Sequence, residues 1–118
     1  MDELVGRLVA ELGIDRAVAE QAVGIILAFL IKEAPDDKVK PLIDALPGAE
    51  EAAAAAPSGG AFGMGGIMGV GTQLMGLGLG MGEVQDVART LLAFAREKAG
   101  EDAVAEIVGS IPGLSQFA

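Results

Sequence analysis

A chain of 118 residues that is 52% hydrophobic and 3% aromatic is long enough for one buried core and too apolar to be disordered throughout. Its formal net charge of −9 opposes both a phosphate backbone and an anionic lipid surface, so no nucleic acid is expected as a partner. It has no Cys and no His. That removes disulfides, thiolate chemistry, and the commonest general base and metal ligand.

The aromatic residues are Phe29, Phe62, Phe94 and Phe117. The core must therefore rest on Leu, Ile, Val, Ala and Met, which suits packed helices better than a sheet. The chain opens on Met1-Asp2-Glu3, an acidic start with no basic region before an apolar run, so a cytoplasmic location is expected.

The first predicted helix covers about Asp2 to Leu12, with Leu4, Val5, Leu8, Val9 and Leu12 on one face. Gly13 is its natural stop, because glycine tolerates the left-handed conformation that follows a helix. Asp15 is placed to cap the next helix through its side chain. That helix runs to about Glu33, and its stretch Ala22–Ile31 carries no charge, so burial on most sides is expected. Pro35 ends it. A third helix opens on Asp36 and Asp37, whose charges favour the positive end of the dipole, with Val39, Leu42, Ile43 and Leu46 inward. Pro41 lies inside this pattern, and a kink or a later helix start is expected there. Lys38 and Lys40 read as a solvated charged face beside the two aspartates.

No charge occurs between Glu51 and Glu83. Residues 52–65 read as a flexible Ala/Gly/Ser/Pro-rich linker. Residues 66–77 read as a helix weakened by glycine, one that needs packing to form. The spacing of Gly65/Gly69, Gly76/Gly80 and Gly78/Gly82 has the small-xxx-small form of membrane helices, so segment 61–82 is also an alternative membrane-contacting element. Glycine supplies little apolar surface, however, which weighs toward a soluble reading. Phe62, Met64, Met68, Met75 and Met81 are the candidate partner-contact residues. Flexible thioethers serve adaptable surfaces, although methionine fills cores more often.

Beyond Glu83 the pattern returns to helices. Val84, Val87, Ala88, Leu91, Leu92 and Ala95 face inward on one, and Val104, Ile107, Val108 and Ile111 on a last one opened by Glu101-Asp102. Shifted by 65 positions, residues 2–48 fall on 67–113 without a gap, and 12 of 47 positions are identical. Among them are Leu27-Ala28-Phe29 on Leu92-Ala93-Phe94 and Pro47-Gly48 on Pro112-Gly113. The expected fold is therefore all-α: a single compact helical bundle of two pseudo-repeated three-helix units, 1–51 and 66–118, joined by the linker.

Little catalytic chemistry is available. The alcohols are Ser58, Ser110, Ser115, Thr72 and Thr90, with no His to activate them. The glycine run holds neither a complete dinucleotide fingerprint nor a phosphate-loop lysine. The carboxylate pairs sit mainly at helix starts, where capping explains them. No enzyme activity, cofactor or metal is expected.

Several pieces in order, Leu12-Gly13-Ile14, Leu46-Pro47-Gly48, the Ala/Gly/Met-rich 52–66, Leu77-Gly78-Leu79, Leu92-Ala93-Phe94 and Lys98-Ala99-Gly100, give the chain its likeness. It resembles the small bacterial VcgC/VcgE-like proteins of unknown function. The resemblance spans nearly the whole chain and implies no activity or catalytic residue. The expected role is a non-enzymatic helical module that binds a protein partner or itself as a homo-oligomer, possible through helix swapping.

Overall fold

The computed structural model describes residues 2–46, 48–55 and 66–111. All their regular structure is helical: α1 (Asp2–Leu12), α2 (Arg16–Glu33), α3 (Asp36–Ala45), α4 (Ala49–Ala55), α5 (Gly66–Gly76), α6 (Met81–Ala99) and α7 (Glu101–Ser110). The expected all-α class holds, and no strand occurs among the described residues.

In α1, Leu4, Val5 and Leu8 are buried, and Val9 and Leu12 pack partly against the core. The helix ends as its sequence predicts. Gly13 turns at φ +68, and its N–H donates to the Val9 carbonyl at 2.9 Å. Gly6 sits exposed within α1, and a Cβ added there meets nothing within 4 Å. Gly6→Ala therefore removes unfolded-state freedom without a clash. It should raise stability by roughly 0.5–1 kcal/mol, read as a higher urea midpoint.

Asp15 corrects an expectation. It stands at the N-cap of α2 with extended backbone, but its side chain makes no capping hydrogen bond. Its main-chain carbonyl instead accepts from the Ala19 N–H at 2.9 Å. In α2 itself Ala22, Val23, Gly24, Ile25, Ile26 and Leu27 are all buried. The cause is its position: α1, α3, α4, α5 and α6 all pack against it. An uncharged stretch of this kind has little to offer water, so the fold covers most of it, leaving Ala28 and Ile31 half-buried.

Of the kink or later helix start expected at Pro41, the later start does not occur. α3 starts at Asp36, not later, and carries Pro41 inside it. The ring lies on the exposed face, where water can serve the carbonyl that loses its N–H partner. Lys38 remains partly solvated, and its Nζ also reaches Glu106 of α7 at 3.6 Å.

The sequence reading had no helix α4. Gly48 turns the chain at φ +86, and Ala49–Ala55 then pack on α2 with Ala49 buried. Residues 52–55 of the expected linker are thus helical. The linker's remaining residues, 56–65, lie outside the described residues.

α5, the glycine-weakened helix, covers Gly66–Gly76. It packs on α2 and α6 and buries Val70 and Leu74. The turn after it is closed by Leu77 and Gly78 N–H groups donating to the Leu74 and Met75 carbonyls, each at 3.0 Å, with Gly78 at φ +97. Leu79 is buried just beyond. Glu83 then reaches back, its Oε1 accepting from the Gly80 N–H at 2.9 Å. This satisfies one orphan donor at the start of α6. All six residues predicted inward on α6 are buried. On α7, Val104, Ile107 and Ile111 are buried and Val108 is half-buried.

The buried side chains form one cluster to which all seven helices contribute. α3 packs on α7, and α1 packs on α6, so the N-terminal and C-terminal helices share this core. The radius of gyration of 12.7 Å is near the value of about 13 Å for a single folded domain of this size.

Candidate functional site

The structure separates the five candidate contact residues. Phe62 and Met64 lie outside the described residues. Met68 belongs to α5, but its side chain lies outside what is described. Met75 and Met81 are 45% and 69% exposed, and they are the exposed large hydrophobics among the described residues. The core-filling reading of methionine fails for these two. Met75 is the penultimate residue of α5 and Met81 the first of α6, so they stand on the two sides of one turn. Gly76, Gly78, Gly80 and Gly82 around them are exposed. The result is a corner with thioethers, bare backbone and no charge between residues 75 and 82. On a chain of net charge −9, it is a place where a second acidic surface can approach without repulsion.

A second concavity, with a cavity volume of 580 Å³, opens between α2, α3 and α4. Ala28, Ile31, Val39 and Ile43 supply apolar wall, while Lys32 and Lys40 share the rim with Asp36, Asp44 and Glu50. A rim of both signs selects neither an anion nor a cation.

The third feature is a cluster joining α1 to α6. Arg7 Nη1 donates to Glu97 Oε2 at 2.9 Å, and Lys98 Nζ lies 3.5 Å from Glu3 Oε2. Both cations also sit on the buried Phe94 ring, Arg7 at 5.3 Å and Lys98 at 5.4 Å from its centroid. A ring face attracts cations at such distances, so one aromatic side chain organises two ion pairs. The carboxylates and ammonium are well exposed. The cluster therefore acts mainly to set the register of α1 on α6 and stores little energy in its charges. Sequence reading missed it because the partners are 90 residues apart. The one local hint was a Phe with a Lys four positions on.

The hydrogen bond from Arg7, with the same charge nearby, holds the Glu97 carboxyl below its ordinary range, and the bond to Glu97 raises Arg7 further. A depressed carboxyl pKa gives stability that is present above the unfolded value, about 4.3 for Glu. It is lost as pH falls through the lower folded value. An NMR titration of the Glu97 side chain should show its midpoint rise toward the ordinary value in Arg7→Gln. An unchanged midpoint would remove Arg7 as the cause.

Among the described residues, no group of three or more His, Cys, Asp or Glu is placed to hold a metal. No buried side-chain polar atom among them is left without a partner. No described helix is long and apolar enough to cross a membrane. No protein-family model, curated protein or solved structure matches this chain.

Proposed function

We propose that this protein is a non-enzymatic helical interaction module that assembles with itself, or docks a protein partner, through the corner between α5 and α6. The observation that carries the reading is the joint exposure of Met75 and Met81 on the two sides of one uncharged turn. Met75 and Met81 are 45% and 69% exposed, so burying what remains of both is worth about 2–3 kcal/mol, whereas association costs about 4–15 kcal/mol. The two methionines alone do not offset that cost, so they mark the centre of a contact to which flanking surface must add, and assembly is weak.

Sedimentation equilibrium at several concentrations tests this. The wild type should show a concentration-dependent rise in mass. The double variant Met75→Lys with Met81→Lys should stay monomeric with its helical signal intact. A strictly monomeric wild type that recovers no partner from lysate would sink the reading. Flotation with liposomes covers the membrane alternative for segment 61–82, and the module reading expects the protein to remain unbound.

The two-unit organisation belongs to the same proposal. At an offset of 65, α7 (Glu101–Ser110) falls on α3 (Asp36–Ala45), and the start of α6 at Met81 falls on that of α2 at Arg16. Gly13 and Gly78, both with positive φ, also correspond. The packing pairs exchange as well: α1 on α6 has its counterpart in α5 on α2. Such reciprocal packing supports a duplicated unit whose halves complete each other, and halves of that kind can exchange between chains. The resemblance to VcgC/VcgE-like proteins is compatible with it but adds no activity.

A further inference from the structure

We propose that Met75 and Met81 form an oxidation site, in which Met75 reports a hydroperoxide to the fold and Met81 does not. It concerns the chain with that corner free, where both side chains are exposed, so its test is run at a concentration at which the protein is monomeric.

The chemistry is a two-electron oxidation of an accessible thioether. A sulfur lone pair attacks one oxygen of hydrogen peroxide, the O–O bond breaks and an S–O bond forms. The departing hydroxide takes the remaining proton and leaves as water. The sulfur is oxidised to the sulfoxide while the peroxide is reduced. A dithiol reductase reverses the step: the dithiol gives up two electrons and two protons to become a disulfide, and the sulfoxide oxygen leaves as water.

The two sulfurs differ in what surrounds them. Met81 is 69% exposed at the first position of α6, so its sulfoxide points into water and disturbs nothing. Met75 is 45% exposed, so about half of it lies against the protein. It directly follows the buried anchor Leu74, one turn before the buried Leu79. Oxidation makes this partly shielded side chain polar, next in the chain to the anchor Leu74, and that loosens α5. The helix has little in reserve. Gly66, Gly69, Gly71 and Gly76 make up four of its eleven residues, and Val70 and Leu74 are its buried anchors among the side chains described. A helix of this composition lies at the low-stability end of local unfolding.

The test is hydrogen exchange by mass spectrometry on the full chain before and after hydrogen peroxide, with peptide mapping of each sulfoxide. In the wild type both Met75 and Met81 should gain one oxygen, and amides 70–77 should exchange about tenfold faster while α2 is unchanged. Met81→Leu should show the same acceleration. Met75→Leu keeps the apolar volume but not the sulfur, so its α5 should exchange at one rate with or without peroxide. Acceleration that persists in Met75→Leu would overturn the proposal, as would a Met75 sulfoxide that leaves exchange in α5 unchanged.

Discussion

Leu27→Ala should lower the stability of this protein by about 3–5 kcal/mol, and Leu92→Ala should do nearly the same. Leu27 is fully buried in α2 and Leu92 is 2% exposed in α6. Each truncation removes transfer energy and leaves a cavity in a core that has no aromatic bulk nearby to collapse into it beyond Phe29 and Phe94. A domain of this size holds about 6–12 kcal/mol in total, so either variant loses a large fraction of it. The core is one cluster shared by all seven helices, so both losses should appear in a single urea transition followed by circular dichroism. Two separable transitions, each moved by only one of the variants, would contradict a shared core.

Gly100→Ala should cost about 1–3 kcal/mol for a different reason. Gly100 joins α6 to α7 at φ +98 and ψ 151, a region open to glycine and closed to residues with a Cβ. An added Cβ meets nothing within 4 Å, so the whole cost is backbone strain. This gives a discriminating comparison. Gly13 turns at φ +68, where Asn is tolerated, so Gly13→Asn should be mild. Gly100→Asn should be as costly as Gly100→Ala. Urea midpoints of the three single variants check the order, and equal costs for the two Asn variants would refute the backbone account.

Much of the fold was legible in the sequence because its signals are local. The apolar spacing of Leu4, Val5 and Leu8, the stop at Gly13 and the uncharged Ala22–Ile31 all correspond to structure. Helix α4 was hidden because five consecutive alanines have no periodicity, and the Pro57-Ser58-Gly59-Gly60 that follows reads as linker. Asp15 shows that a capping residue in the right place need not make the side-chain bond. Pro41 shows that an exposed helix face can carry proline when water serves the vacated carbonyl. The Arg7–Phe94–Lys98 cluster was beyond reach, since it exists only after α1 meets α6. Of the candidate contact residues, the sequence could name the methionines but not sort them. Exposure at Met75 and Met81 depends on how the turn from Leu77 to Gly80 aims the ends of two helices.

The enclosure of α2 has a consequence for how the protein is made. Its apolar stretch leaves the ribosome well before α5 and α6, two of the helices that cover it. The gap from Ile31 to Ala99 takes about 3–14 s to synthesise at typical elongation rates. Through much of that interval the nascent chain carries a greasy helix that α1, α3 and α4 cover only in part, flanked by the acidic Asp15, Glu33 and Asp36. Flanking charges of this kind act as gatekeepers against aggregation, so the acidic residues at the ends of α2 guard it while the last helices are still being translated.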